Sequence, residues 1–172
     1  MLRKLLALAV AGAALTAGAQ LPPDSPDWKE LDAPRPPPLR TQGLIFLEVP
    51  GGASSLRFGV DPASVSVGSD SIVRYVVVAS GSSGVTNGIY EGIRCSTGEV
   101  KVYARHNPDS GWVPTRDSEW KDLRSVPNAR YSLAVARNGA CMGNAPNGPA
   151  VQIVRDLRAP VDRRFERGGV NR

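Results

Sequence analysis

The chain has 172 residues, long enough for one domain, with one histidine and a formal net charge of +5. A single imidazole excludes most of the usual catalytic arrangements, and the neighbours of His106 indicate a strand that enters a turn rather than part of a triad. The modest charge argues against a protein that binds many nucleic-acid phosphates, so no nucleic-acid partner is expected.

Residues 1–19 have the three-part pattern of a secretion signal peptide. Arg3 and Lys4 precede an apolar run of about a dozen residues, and small residues lead up to Gln20. We predict cleavage after Ala19 and a periplasmic location, with an uncleaved anchor as the alternative. Loss of the two basic residues lowers the net charge from +5 to +3. A membrane-spanning helix needs about 20 strongly apolar residues, so no transmembrane segment is expected in the mature form.

Residues 20–43 form a proline-rich N-terminal arm. Seven prolines lie in this stretch, at positions 22, 23, 26, 34, 36, 37 and 38. This density disfavours helix and sheet pairing and favours an extended polyproline geometry. We interpret the arm as a spacer that Trp28 could anchor, with a proline-rich ligand for another domain as the alternative.

From Leu44 onward the pattern changes to short β-type runs separated by turn residues. Residues 72–78 are almost all β-branched, which is typical of a central strand buried on both faces, so Arg74 within this run stands out. Residues 89–95 and 99–105 alternate polar with apolar side chains and are joined by Ser-Thr-Gly, which predicts an antiparallel hairpin of uncertain register. The glycine-rich stretch 80–84 lacks the residues of a phosphate-binding loop and indicates a connection between strands. Further short strands are expected within 44–49, 56–60 and 65–67.

Two helices are predicted towards the C-terminus. The first covers residues 129–138, with Asn128 as its N-cap and Gly139 just past its end, although its alternation would also suit a strand. The second runs from Pro149 to about Arg158, with apolar residues at 151, 154 and 157.

Strands first and helices last indicate an α+β fold, a mainly antiparallel β-sheet with one or two C-terminal helices packed on it. We expect one domain over residues 44–158 and a basic, disordered tail over 159–172. An oxidising compartment favours pairing of Cys95 with Cys141, and one structural disulfide would then link the sheet to the helices. A redox pair and a metal site are the competing interpretations, but there is no C-x-x-C spacing and there are too few ligands for zinc.

One group of side chains mixes charge with aromatic rings and forms the candidate binding surface. Its members are Arg74, Glu91, Lys101, Tyr103, Arg105, Trp112 and Trp120, with Arg116 beside them. In the structural interpretation, Glu91 forms a salt-bridge network with Lys101 and Arg105, and the tryptophans pack. In the functional interpretation, the rings stack on a sugar and the basic groups hold an anion, as would suit a glycan or an envelope phosphate. No catalytic residue, metal site or cofactor motif is predicted.

Several segments carry a resemblance to a known family. They are residues 55–62, 72–78, 90–95, 101–105 and 153–158, with Trp112, Trp120 and Cys141 between them. In these segments the chain resembles the cryptic neisserial protein-like family of uncharacterised exported proteobacterial proteins, and Tyr-Glu-Gly-Ile-Arg-Cys at 90–95 is the most specific portion. The resemblance implies export and a shared fold, and it supplies no activity, cofactor or catalytic residue.

The sequence therefore predicts a non-enzymatic periplasmic module that binds an envelope component or a partner protein. The expected partner is an envelope glycan, another anionic envelope component or a protein, and the oligomeric state is not predicted. One alternative is a small envelope hydrolase, which would need a cleft with two carboxylates, one of them with a raised pKa. The other is an assembly protein that uses the proline-rich arm or an exposed apolar patch.

Overall fold

The computed structural model describes residues 28–49, 55–116, 118–125 and 130–159. The predicted signal peptide, the predicted helix cap at Asn128 and nearly all of the predicted C-terminal tail lie outside these residues.

One antiparallel sheet forms the centre of the fold, as the sequence predicts. Its eight strands are β1 (Ile45–Phe46), β2 (Arg57–Val60), β3 (Ser66–Val67), β4 (Ile72–Ser80), β5 (Thr86–Arg94), β6 (Glu99–Asn107), β7 (Gly111–Pro114) and β8 (Lys121–Asp122). The main order across the sheet is β1-β2-β4-β5-β6-β7, with β3 also paired to β4 and β8 also paired to β6. A 3-10 turn, Pro62–Ser64, connects β2 to β3.

The two central strands, β4 and β5, pair along their full length, from Ile72 opposite Arg94 to Ser80 opposite Thr86. Every residue of β4 except Ser80 is buried, which confirms the prediction of a central strand covered on both faces. Residues 81–85 connect these strands, and the loop interpretation of the glycine-rich stretch is confirmed.

The predicted hairpin is formed by β5 and β6, and it contains a β-bulge. Tyr90 pairs with Ala104 and Glu91 pairs with Val102, so Tyr103 is the additional residue on β6. A bulge changes which face the following side chains occupy. Accordingly, Val102 packs with the core on one face of the sheet, whereas Tyr103 and Ala104 pack on the other face.

Two helical segments cover the first of these faces, called here the helix face. They are α1 (Arg130–Val135), which continues into a π-helical turn (Ala136–Ala140), and α2 (Ala150–Leu157). Tyr131 of α1 stacks on Phe58 of β2, with ring centroids 4.5 Å apart. Both predicted helices are therefore confirmed. Beyond the first helix, a two-stranded sheet pairs β9 (Cys141–Met142) with β10 (Ala145–Pro146).

Two details of the helix predictions are wrong. Val151 is 76 % exposed, and the buried face of α2 presents the predicted Leu157 together with Ile153. Gly139 lies within the π-helical turn rather than beyond the helix end. A Cβ atom at Gly139 would come within 2.7 Å of Leu157 Cγ, so glycine here allows α2 to pack closely against the turn.

A disulfide joins Cys95, which follows β5, to Cys141, the first residue of β9. The Cα atoms are 5.6 Å apart, within the ordinary range for a disulfide. The bond links the sheet to the segment after the first helix, as predicted.

The opposite face of the sheet, called here the arm face, is covered by residues 28–40, the arm segment, which has no regular secondary structure. Ala33 and Leu39 of the arm segment pack against a second apolar cluster of Val76, Val78, Tyr90 and Ala104. The indole N–H of Trp28 donates to the Asp70 carbonyl at 2.9 Å, which provides the predicted anchor. The sheet is thus enclosed between helices on one face and the proline-rich arm segment on the other.

No helix in the described part of the chain is long and apolar enough to cross a membrane.

Candidate binding site

The candidate surface residues do not share one face of the sheet. Arg74, Lys101, Tyr103, Trp112 and Trp120 all contact the arm segment or the cluster beneath it.

The other members of the group lie elsewhere. Glu91 is buried on the helix face, and the exposed Arg105 pairs with Ile89, whose side chain belongs to the helix-face core. Arg116 is exposed, beyond the end of β7. The structure therefore assembles five of the predicted residues around the arm segment and separates the rest from them.

Glu91 is a core residue, 1 % exposed. Its carboxylate accepts hydrogen bonds from the hydroxyls of Tyr75, Tyr131 and Ser132 at 2.7–2.9 Å. Burial raises its pKa, and these hydrogen bonds together with the charge of Arg105 only partly oppose the shift. The predicted salt-bridge network on the hairpin is wrong, because Lys101 lies on the opposite face from Glu91.

Lys101 instead helps to bind the carboxylate of Glu30 in the arm segment. Lys101 Nζ lies 2.8 Å from Glu30 Oε2, Tyr103 Oη lies 2.8 Å from Oε1, and Trp120 Nε1 lies 3.1 Å from Oε2. Burial alone would raise the pKa of Glu30, but the three hydrogen bonds and the positive charge of Lys101 lower it below its ordinary value. Three of the predicted site residues therefore form a carboxylate-binding site, and the chain's own arm occupies it.

Arg74 forms a buried ion pair at the start of β4. Its Nη1 and Nη2 atoms lie 3.1 and 2.6 Å from the two carboxylate oxygens of Asp70. Although burial opposes charge on Asp70, the contact with Arg74 and backbone hydrogen bonds from Leu31 and Ile72 lower its pKa. Arg74 also donates to the Leu31 carbonyl at 3.3 Å, so the pair holds the arm segment on the sheet.

Trp112 binds the other end of the arm segment. Its indole N–H donates to the carbonyl of Pro37 at 2.8 Å. Its ring packs edge-on against Tyr90 and His106, with centroid distances of 6.5 and 5.3 Å. His106 is therefore an aromatic neighbour of Trp112, and the aromatic face that the sequence indicates is covered by residues of the same chain.

A cleft of about 490 Å³ remains open between the arm segment and β6. Tyr90 and Tyr103 line one side of it, and prolines of the arm segment line the other. Its charged lining residues are Glu30, Asp32, Arg35 and Lys101, two acids and two bases, so the cleft carries no net charge. The cleft is shallow and largely open to solvent.

Three of these charged lining residues, Glu30, Asp32 and Arg35, were not identified by sequence reasoning. They lie in the proline-rich segment, whose composition indicates a spacer and gives no sign of the surface against which it packs. The available signal is the placement of Trp28 and several charged residues among the prolines, since a simple spacer does not require a large aromatic side chain.

Within the described ranges, no group of three or more histidine, cysteine, aspartate or glutamate side chains is arranged to hold a metal ion.

Comparison with protein families finds a match to the CNP1-like family over residues 23–158. Comparison with curated proteins and with solved structures finds no match. The matched residues include the arm segment, the whole sheet and both helices. The chain therefore belongs to the CNP1-like family.

Proposed function

We propose that this protein is an exported periplasmic module that binds a polar envelope glycan in the cleft between the arm segment and β6. The observation that carries the proposal is the make-up of the cleft, in which the part-exposed ring of Tyr103 lies beside a charge-balanced set of polar groups. Sugars present apolar C–H faces that pack on aromatic rings and hydroxyls that bond to acids, bases and amides.

The charges of the cleft favour a neutral or zwitterionic ligand over a strongly anionic one. Lys101 is already paired with Glu30 at 2.8 Å, so an incoming anion would have to displace that carboxylate or bind elsewhere. Arg35 and Asp32 are exposed in the cleft and can reach a ligand at little desolvation cost. These charges favour a hydroxyl-rich glycan over an envelope phosphate as the ligand.

Export is supported by the disulfide between Cys95 and Cys141, because such bonds persist in oxidising compartments and are uncommon in the cytosol. The proposal includes removal of the signal peptide after Ala19. Cell fractionation with N-terminal sequencing of the recovered protein tests this part, with a mature chain that begins at Gln20 as the expected result. A cytosolic chain that retains Met1 would contradict export.

The described residues give the hydrolase alternative less support. The cleft holds the carboxyl groups of Glu30 and Asp32, but the pKa of Glu30 is lowered, whereas a general acid needs a raised one. The acid whose pKa is raised, Glu91, is enclosed in the core on the helix face. The described residues therefore favour binding.

Calorimetric titration with soluble glycan strands from the cell-wall sacculus tests the proposal. Asp32→Ala and Arg35→Ala remove exposed cleft groups, and each is expected to weaken binding by at least about tenfold, because a hydrogen bond to a charged group contributes about 1.5–3 kcal/mol. Arg137→Ala is the matched control, because Arg137 is an exposed arginine of the π-helical turn.

Near-UV circular dichroism checks that each variant keeps its fold. Equal binding by all variants would remove the cleft as the site. Binding of lipopolysaccharide or anionic vesicles with none of the glycan would contradict the choice of ligand.

A further inference from the structure

We infer that the arm face is a recognition groove for proline-rich segments, and that the arm of a second copy of this chain can occupy it by exchange. The arm segment in the structure acts as the groove's own ligand. This inference does not depend on glycan binding, because it concerns how the arm segment is bound and not what enters the cleft beside it.

The contact at Trp112 is of the kind by which aromatic grooves bind polyproline. Such grooves offer aromatic faces to the proline rings, and their polar groups bond to the exposed carbonyls of the extended chain. Here the Trp112 indole N–H donates to the Pro37 carbonyl at 2.8 Å. Leu39 lies above Gly88, where a Cβ atom would come within 2.5 Å of its Cδ1, so the missing side chain at Gly88 leaves a pocket for the leucine.

The carboxylate site provides the second point of recognition. Glu30 receives hydrogen bonds from Lys101, Tyr103 and Trp120, which come from two separate parts of the chain. Pro37 lies seven positions after Glu30, a distance of about 22 Å in polyproline geometry. The groove therefore selects an extended segment with an acid at one end and a proline carbonyl at the other.

The first residues of the arm segment add a third point. Trp28 donates to the Asp70 carbonyl, and the Arg94 guanidinium lies 3.7 Å from the centre of the Trp28 ring. Leu31 both donates its N–H to Asp70 and accepts from Arg74, at 3.1 and 3.3 Å. Three points of recognition on one extended segment are characteristic of a bound peptide.

A second copy is the occupant that fits, because its arm presents the same residues at the same spacing. Exchange changes only the turn at residues 41–43, which is exposed and contains Gly43 in the left-handed region at φ 68°. All arm contacts are then reproduced between two chains, as in other domain-swapped dimers. The tethered arm has an effective concentration of about 1 mM, so the monomer should dominate in dilute solution.

The groove is tested on the folded full chain, with a protease site inserted after Gln42. After cleavage, a labelled peptide of residues 28–40 is titrated, and fluorescence anisotropy is expected to report saturable exchange into the groove. A Glu30→Ala peptide should bind at least about tenfold more weakly, because it loses three charge-assisted hydrogen bonds. An Asp32→Ala peptide is the matched control, since it removes the same charge from an exposed position, and it should bind within about threefold of the native peptide. No exchange in a cleaved protein that keeps its near-UV circular dichroism would overturn the groove.

The second copy is tested by deletion of Thr41 and Gln42, which leaves the turn too short to return the arm to its own sheet. Light scattering is expected to give the mass of a dimer, and a folded monomer would overturn arm exchange. If the shortened chain does not fold, the unaltered protein is held at about 1 mM, the effective concentration of the tethered arm, and then diluted in the cold. A slowly decaying dimer is expected there, and an immediate return to monomer would overturn the inference. Peptide exchange without any dimer would likewise overturn the assignment of a second copy as occupant.

Discussion

Substitutions at Glu91 distinguish two effects of its carboxyl group on stability. The group accepts hydrogen bonds from three hydroxyls, and it carries a charge in the core. The carboxylate is 1 % exposed and accepts from Tyr75, Tyr131 and Ser132. Leucine would leave three hydroxyls without this acceptor, at roughly 1–3 kcal/mol for each buried donor, offset in part by the removal of a buried charge. We expect Glu91→Leu to lower the free energy of unfolding by about 3 kcal/mol or more.

Glu91→Gln keeps an oxygen acceptor and adds an N–H group that can donate to a hydroxyl oxygen. Burial raises the pKa of Glu91 from its ordinary value of 4.5, and its hydrogen bonds oppose this only in part. The folded state then holds the proton more tightly than the unfolded state, so stability falls as the pH rises from about 4.5 through the raised folded pKa. The glutamine variant lacks that loss, and its stability relative to the native protein should increase over this window.

Urea unfolding followed by tryptophan fluorescence measures both effects, with the disulfide intact and at several pH values between about 4 and 8. The expected order of stability at neutral pH is the glutamine variant at or above the native protein, and the leucine variant well below both. Equal stability of the leucine and glutamine variants would refute the hydroxyl network. A difference between native and glutamine proteins that does not change with pH would refute the raised pKa.

Replacement of both Cys95 and Cys141 by alanine should cost about 4 kcal/mol for a sequence separation of 46 residues, and a loss below about 1 kcal/mol in urea unfolding would contradict this. Glu30, with its lowered pKa, should support docking of the arm above its ordinary value of 4.5 and lose that effect as the pH falls through the lowered pKa. The protection factor of the Leu31 amide, which compares its exchange rate with the intrinsic rate at the same pH, should therefore fall in acid, and Glu30→Gln should reduce this dependence. Gly88→Ala should loosen the arm around Leu39 with little unfolding of the sheet, because the added Cβ would meet Leu39 Cδ1 at 2.5 Å and force that side chain to move. Limited proteolysis of the arm checks this, and a variant as resistant as the native protein would count against it.

The central strands and the hairpin could be predicted because their signals are local. The run of β-branched residues at 72–78 corresponds to β4, and Ser-Thr-Gly at 96–98 marks the turn between β5 and β6. The pairing of Cys95 with Cys141 followed from the cysteine count, since the chain contains only these two. The strands and the hairpin depend on residues close in sequence, and two cysteines allow only one intramolecular disulfide.

The faces of the hairpin could not be predicted because of one additional residue. Strict alternation places Lys101, Tyr103 and Arg105 on the same face of a strand. The bulge at Tyr103 breaks this alternation, so Arg105 falls opposite Ile89 on the helix face while Tyr103 stays with Lys101 on the arm face. The sequence contains no glycine at this point to mark the bulge.

The packing of the arm segment on the sheet could not be predicted, because it depends on contacts between residues that are far apart in sequence. Glu30 and Lys101 are 71 residues apart, and Trp112 and Pro37 are 75 apart. Proline density indicates the local geometry of an arm but not the surface against which it packs. Five of the residues grouped from the sequence meet around the arm segment, whereas Glu91 and Arg105 lie on the helix face, and the arm that covers the five was missed.

The most direct test of glycan binding is a nuclear magnetic resonance titration of the isotopically labelled mature protein with solubilised sacculus glycan. Saturable chemical-shift changes are expected, confined to residues that line the cleft, namely residues 30–36, Tyr90, Lys101, Tyr103, Ala104 and Ser118. Changes confined to the helix face, or no changes at glycan concentrations that saturate other envelope-binding proteins, would contradict glycan binding in the cleft.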